Sequence, residues 1–94
     1  MRHYVYILWS KKDGKLYIGY TSDLERRMKQ HADGFVESTM YRRPLVLIHA
    51  EFFINQNDAT DREKYFKTGW GRNHIQKMLP STFEALKKTG RVNP

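Results

Sequence analysis

An Asp-Gly pair between two aromatic-rich segments is the feature that most constrains the fold of this chain. Residues 4–9 read Tyr-Val-Tyr-Ile-Leu-Trp, and residues 16–20 read Leu-Tyr-Ile-Gly-Tyr. Aromatic and β-branched residues favour strands, and Asp-Gly favours the tight turn that joins antiparallel strands. The sequence therefore predicts a hairpin with Asp13 and Gly14 as its two loop residues and with Lys12 opposite Lys15.

The predicted register also determines which side chains share a face of the sheet. Side chains alternate between faces along a strand, and residues directly opposite each other on paired strands lie on the same face. With Lys12 opposite Lys15, even positions of the first strand share a face with odd positions of the second. We therefore expect Tyr4, Tyr6 and Leu8 on the face that carries Tyr17 and Gly19.

The rest of the chain predicts three helices and one further strand. A capping box with Ser22 as N-cap begins a helix that ends near Asp33, with an inward stripe of Leu24, Met28, His31 and Phe35. Residues 45–54 form a strand, predicted to be central because its apolar run does not alternate. A second helix over about residues 59–69 has a stripe of Ala59, Glu63, Phe66 and Trp70, and a short helix covers residues 82–88.

This β-β-α-β-α-α order predicts an α+β fold, with a small three-stranded, mainly antiparallel sheet flanked by helices. The 94 residues predict a single domain over positions 1–94.

The net charge of +7 indicates an anionic partner, with nucleic acid first and an anionic membrane surface second. No amphipathic basic helix supports the membrane alternative, and no segment fits a signal peptide or a membrane span. We expect a cytoplasmic protein, and the absence of cysteine excludes disulfides and thiolate chemistry.

Two predicted helices place a polar residue where an apolar one is expected. His31 completes the stripe of the first helix, and Glu63 lies within the stripe of the second. Taken alone, His31 is best explained as a core histidine with satisfied hydrogen bonds, and Glu63 as a charge at the stripe edge paired with Lys67. Arg27 precedes His31 by one helical turn, so their side chains are neighbours.

Taken together, these residues occur in a recognisable order. Tyr4-Val5-Tyr6 is followed by Tyr17-Ile18-Gly19, then by a helix with Arg27 and His31, then by a second helix centred on Glu63. This set resembles the GIY-YIG nuclease superfamily, and small single-domain bacterial members of the UvrC-like or UPF0213 type have the most similar pattern. The resemblance covers about residues 3–79. The sequence departs from the pattern at Tyr4, where the first tripeptide of the family has glycine.

The resemblance implies a metal-dependent endonuclease that hydrolyses phosphodiester bonds in DNA with little intrinsic sequence specificity. It implies that Glu63 holds one Mg²⁺ or Mn²⁺ ion and that Arg27 binds the scissile phosphate. Tyr6 is the expected general base, with Tyr17 and His31 in its hydrogen-bond network, and the two tyrosines could exchange roles. The family often has a late asparagine near the site, for which Asn73 and Asn93 are candidates.

Other basic residues are expected to contact the nucleic-acid backbone, and Gly19 marks a close approach of the backbone to a neighbour or to a phosphate. The expected cations are Lys11, Lys12, Lys15, Arg42, Arg43 and Lys67. Two alternatives remain open: a nucleic-acid-binding module with lost or latent nuclease activity, and a basic protein that binds RNA or a ribonucleoprotein. The intact set of polar residues favours the nuclease. DNA is the expected partner rather than RNA, although the residues themselves do not separate the two, and the oligomeric state is undetermined.

Overall fold

The computed structural model describes residues 2–90 as a three-stranded antiparallel sheet and four helices. The strands are β1 (His3–Ser10), β2 (Leu16–Thr21) and β3 (Leu45–Phe53). The helices are α1 (Leu24–Ala32), α2 (Gln56–Phe66), α3 (Gly69–Met78) and α4 (Pro80–Gly90), with a 3₁₀ turn at Met40–Arg42. The predicted α+β fold is therefore confirmed.

The central strand of the sheet is β1, and the prediction that residues 45–54 form the central strand is wrong. The strand order is β2-β1-β3, and six consecutive residues of β1 are buried, from Val5 to Ser10. Ile7 pairs with His49 and Leu8 with Leu47, so Ile48 is an extra residue in a β-bulge. The bulge breaks the alternation of β3 and lets Ile48 pack on the core, so the continuous apolar run does not indicate burial on both faces.

The hairpin has a longer loop than predicted, but its faces are arranged as predicted. Trp9 pairs with Leu16, and the backbone N–H of Ser10 donates to the carbonyl of Lys15, so four residues form the turn. The Ser10 hydroxyl accepts from the N–H groups of Lys12 and Asp13 at 3.1 Å, which stabilises this longer turn. The predicted register is wrong by two residues, and an even shift leaves every side chain on its predicted face.

Helix α1 begins one residue later than predicted. Asp23, rather than Ser22, is the N-cap, because its Oδ1 accepts from the N–H of Arg26 at 3.1 Å. A carboxylate at this position also interacts favourably with the helix dipole. The chain leaves the helix at Gly34, which has φ 81°, so Phe35 is 78% exposed and does not extend the inward stripe.

The sequence misses α3 entirely. The predicted second helix over residues 59–69 in fact ends at Phe66, and Thr68 caps a new helix by accepting from the N–H of Gly71 at 3.0 Å. Trp70 therefore leaves the predicted stripe and is 82% exposed. Two glycines at the start of α3 concealed it, because glycine is a poor helix former.

The two faces of the sheet have different chemistry. Helices α2 and α3 cover one face with an apolar core of Val5, Ile7, Ile18, Ala59, Phe66 and Ile75. The other face carries Tyr6, which α1 covers with the buried side chain of His31. Among residues 2–90, no helix combines the length and apolar character that a membrane span requires. The apolar face gives the domain its stability, and the polar face positions the candidate site.

The close packing of α3 on α2 depends on Gly71. A β-carbon at Gly71 would overlap the carbonyl oxygen of Tyr65 and lie 2.6 Å from the Cα of Phe66. Because backbone atoms cannot move aside as a flexible side chain can, we expect Gly71→Ala to lower the free energy of unfolding by about 3 kcal/mol. Urea unfolding followed by circular dichroism measures this loss.

The matched control for this prediction is Gly69→Ala, two residues earlier in the same helix. A β-carbon at Gly69 meets nothing within 4 Å. Alanine there should be neutral or stabilising by up to about 1 kcal/mol. Equal destabilisation by both substitutions would show that helix propensity, and not the contact with α2, accounts for the effect.

Candidate active site

The centre of the candidate site is the hydroxyl of Tyr6. Tyr6 lies in the central strand, is fully buried, and forms a hydrogen bond of 2.8 Å with Nε2 of His31. Its ring lies against Gly19 on the neighbouring strand, where a β-carbon would overlap the Tyr6 hydroxyl. Glycine is therefore required at position 19 to make room for the Tyr6 ring, which is the close approach to a neighbour that the sequence predicted.

His31 connects Tyr6 to a residue that the sequence did not indicate. Nδ1 of His31 lies 2.7 Å from the hydroxyl of Thr39, which is fully buried and donates to the carbonyl of Val36 at 3.5 Å. In this arrangement His31 donates from Nδ1, and the lone pair of Nε2 faces the Tyr6 hydroxyl. A buried histidine implies a partner for each ring nitrogen, but nothing in the irregular segment 33–39 distinguishes Thr39 from its neighbours.

Both members of the Tyr6–His31 pair are neutral at neutral pH. Burial, helped by the nearby charge of Arg27, lowers the pKa of His31 from 6.5 to about 4. Burial raises the pKa of Tyr6 from 10.0 to about 12, because the phenolate is disfavoured away from water. The imidazole can therefore accept a proton, and the phenol can donate one.

The four other residues that the sequence predicts for catalysis either contact Tyr6 or act on its pKa. Arg27 lowers the pKa of Tyr6, whereas the charge of Glu63, and that of Tyr17 when its phenol is ionised, raise it. The ring centroid of Tyr17 lies 5.3 Å from that of His31 and 6.3 Å from that of Tyr6. Two strands and two helices thus bring together residues separated by nearly sixty positions in the sequence.

Within residues 2–90, no carboxylate forms an ion pair with the guanidinium of Arg27. Its Nη1 donates to the side-chain oxygen of Gln30 at 3.1 Å, and its buried Nε has no hydrogen-bond partner among the described residues. A buried donor without a partner costs about 1–3 kcal/mol, so the site is poised to receive an anion here.

Glu63 on α2 provides a partly exposed carboxylate whose charge acts on Tyr6. Its side chain is 22% exposed, and Oε2 accepts from Nζ of Lys67 at 2.9 Å. No group of three or more His, Asp or Glu residues that could enclose a metal ion occurs within residues 2–90. One partly exposed carboxylate fits Mg²⁺ or Mn²⁺, which keep most of their water ligands, and does not fit a structural zinc site.

The predicted phosphate-binding cations fall into two groups. Lys11, Lys12 and Lys15 are exposed on the hairpin turn. Arg42 instead binds Asp13 through Nε at 2.7 Å and lowers the pKa of Asp13 to about 2. Arg43 donates to the carbonyls of Met40 and Ala32, so both arginines hold the loop that precedes β3 against its neighbours.

The two candidate asparagines differ in what the structure describes. Asn73 lies on the exposed side of α3, where it lines a cleft between that helix and the hairpin turn. Asn93 lies outside the described residues. The structure therefore brings Asn73 close to the hairpin turn.

Comparison with known proteins agrees with this geometry. Residues 2–76 match the family model of the GIY-YIG catalytic domain. A UPF0213 protein of Bacillus licheniformis is 46% identical over 66 residues, which cover 69% of this chain and 67% of that protein. A UPF0213 protein of Staphylococcus haemolyticus is 40% identical over 79 residues, which cover 83% of this chain and 94% of that protein.

One solved structure shows the same fold. The solution structure of a UPF0213 protein from Bacillus halodurans has a TM-score of 0.55 and 35% sequence identity, and the match covers 84% of this chain and 86% of that one. The matched family model extends from β1 through most of α3 and includes every residue around the Tyr6 hydroxyl. The chain therefore belongs to the GIY-YIG family, among the small bacterial proteins of the UPF0213 group.

Proposed function

We propose that this protein is a metal-dependent endonuclease that hydrolyses phosphodiester bonds in DNA in the cytoplasm, with little intrinsic sequence specificity. Residues 1–94 would act as a single catalytic domain. The observation that carries the proposal is the convergence of Tyr17, Arg27, His31 and Glu63 on the buried hydroxyl of Tyr6. A domain that only binds nucleic acid has no need of this buried proton-transfer pair.

Tyr6 and His31 together provide the base. Tyrosine with a pKa of about 12 is a poor base at neutral pH, unless its own proton leaves as it accepts another. The attacking water gives a proton to the Tyr6 oxygen, and the original phenolic proton passes to Nε2 of His31 along a hydrogen bond whose oxygen–nitrogen distance is 2.8 Å. Thr39 keeps Nδ1 of His31 as the donor, so Nε2 is free to accept.

Arg27 would bind the substrate phosphate, and Glu63 would bind the metal ion that accompanies it. The planar guanidinium of Arg27 matches two phosphate oxygens, and it stabilises the additional negative charge of the transition state. Glu63 would hold the divalent cation, exchanging its hydrogen bond to Lys67 for the ion. When bound, Mg²⁺ or Mn²⁺ supplies Lewis-acid stabilisation of the leaving 3′ oxygen.

The proposal is tested by Glu63→Gln, which removes the charge but keeps the shape of the side chain. We expect nicking of supercoiled, branched and single-stranded DNA in Mg²⁺ or Mn²⁺ to fall about 10²- to 10³-fold, comparable to the loss of one transition-state contact. DNA binding measured in EDTA should not weaken, because the substitution makes the site less negative. The matched control is Asp61→Asn, an exposed carboxylate on the same helix.

Two outcomes would contradict this prediction. If purified wild-type protein cuts none of these substrates in either metal, the endonuclease proposal fails and the binding-module alternative replaces it. If Glu63→Gln and Asp61→Asn both cut at the wild-type rate, the metal assignment to Glu63 fails.

The proton path is tested by Thr39→Val, which has nearly the same shape but cannot accept a hydrogen bond from His31. We expect the rate of cleavage to fall about 10- to 100-fold, as for other residues that orient a catalytic histidine. The ¹⁵N chemical shifts of the His31 ring should show a change of tautomer from Nδ1–H to Nε2–H. Thr39→Ser keeps the hydroxyl and should retain most of the activity.

The rate of cleavage should depend on pH through the protonation of His31 and should fall in acid. Because the pKa of His31 is lowered to about 4, the imidazole stays able to accept a proton well below pH 6. Cleavage by the wild type should therefore persist into mildly acidic solution and disappear as the pH falls towards 4. Loss of activity centred near pH 6.5 would show that His31 is not buried beside Arg27 in the active protein.

A further inference from the structure

Trp70 is the most exposed large hydrophobic residue of the described chain. Its side chain is 82% exposed, and none of the aromatic or cation–π contacts of residues 2–90 includes it. Most tryptophans bury much of their surface, so this exposure carries a cost that the fold does not offset. The catalytic site described above does not use Trp70.

The local structure holds Trp70 outward. Gly71 packs directly against the last turn of α2, and Thr68 caps α3 by accepting from the N–H of Gly71 at 3.0 Å. Trp70 lies between these two anchors in the first turn of α3. Its backbone is therefore fixed while its indole ring faces solvent.

A cleft with excess positive charge is lined by Arg72 and Asn73, two and three residues after Trp70. The turn–α3 cleft, as we call it, has a volume of about 680 Å³ and lies between the hairpin turn and α3. Its lining residues are Asp13, Gly14, Lys15, Leu16, Arg42, Arg72, Asn73 and Gln76. Asp13 is neutralised by Arg42, so Lys15 and Arg72 leave the cleft cationic. Asn73 follows Trp70 by three residues, which places both on the same side of the helix.

Both Trp70 and the cleft are connected to the catalytic site by short stretches of chain. Tyr17 directly follows Leu16, which lines the cleft. Lys67, whose Nζ lies 2.9 Å from the Glu63 carboxylate, precedes Trp70 by three residues, a span of at most about 11 Å.

We propose that Trp70 and the turn–α3 cleft bind an unpaired segment of the nucleic-acid substrate, with one base stacked on the Trp70 indole. In a duplex the faces of the bases are covered by their neighbours, so an exposed aromatic ring can stack only on a base that is unpaired. Aromatic rings combined with a cationic groove are the usual means of binding single strands without sequence preference. The inference rests on the proposed function in taking nucleic acid as the substrate.

The charge of the chain argues against a second copy of the protein as the occupant. Each copy carries a net charge of +7, and association would bring two such surfaces together. A polyanion with exposed bases satisfies both the cationic cleft and the aromatic ring. The substrate class that follows is a strand with a gap, flap, branch or free single-stranded end.

The test uses tryptophan fluorescence, because the chain has two tryptophans of opposite exposure. Trp9 is 8% exposed, so Trp9→Phe leaves Trp70 as the single reporter. In EDTA, where no cleavage occurs, we expect a short oligothymidylate to quench the emission of Trp70, and a fully paired duplex of the same length to quench it much less. Trp70→Ala should weaken binding of the oligothymidylate about tenfold, and Trp70→Phe should retain most of the affinity.

The matched control is Phe35→Ala. Phe35 is 78% exposed and does not line the turn–α3 cleft, so it has the exposure of Trp70 away from that cleft. Its removal should leave oligothymidylate binding unchanged. Equal affinities for wild type, Trp70→Ala and Phe35→Ala would overturn the inference, as would equal quenching by duplex and single strand.

A concentration-dependent blue shift of Trp70 emission without nucleic acid would overturn it in favour of a second copy. Failure of this inference and failure of the nuclease proposal are distinguishable, because this experiment measures binding without metal. If the single strand quenches Trp70 emission but the wild type cleaves no substrate, the binding inference is supported and the nuclease proposal is contradicted.

Discussion

The hydrogen bond of 2.8 Å between the hydroxyl of Tyr6 and Nε2 of His31 is the interaction on which the rest of the site depends. It is fully buried, so each group must be positioned by the structure around it. The Tyr6 ring requires glycine at position 19 on the adjacent strand. The His31 ring requires the Thr39 hydroxyl at its other nitrogen, which fixes the start of the loop leading to β3. This one hydrogen bond therefore fixes the positions of α1 and of this loop relative to the sheet.

The β-β-α-β-α order of the first five strands and helices could be predicted from local patterns, whereas the candidate site residues were predicted from the resemblance to a family. The side chains of the hairpin lie on their predicted faces although the predicted register is wrong, because a shift of two residues does not exchange the faces of a strand. The errors arose where non-local packing decides the outcome. The bulge at Ile48 breaks the alternation of β3, so this edge strand was predicted to be central. Helix α3 was missed because two glycines stand at its start, although Gly71 is what allows α3 to pack closely on α2. Thr39 could not be identified because only the fold brings it to His31.

Two cations of the site, Lys67 and Arg27, differ in whether a carboxylate of the described chain is paired with them. Lys67 is paired with Glu63, so this partly exposed pair carries no net charge in the absence of other ions. Arg27 has no carboxylate partner in the described chain and keeps its full charge beside the buried pair. The site therefore holds a compensated anion at its edge and an uncompensated cation inside. That polarity favours entry of a phosphate towards Arg27.

The same charges determine how readily the proton moves between Tyr6 and His31. Arg27 lowers the pKa of both groups, and Glu63 raises the pKa of Tyr6. A phosphate bound to Arg27 would cancel a charge that lowers both pKa values, so both would rise and the difference between them would persist. Neutralisation of Glu63 removes the charge that raises the pKa of Tyr6, which makes the phenol a better donor. Transfer from a group with a pKa of about 12 to one with a pKa of about 4 is therefore unfavourable in the free protein, and neutralisation of Glu63 is the change that narrows the difference.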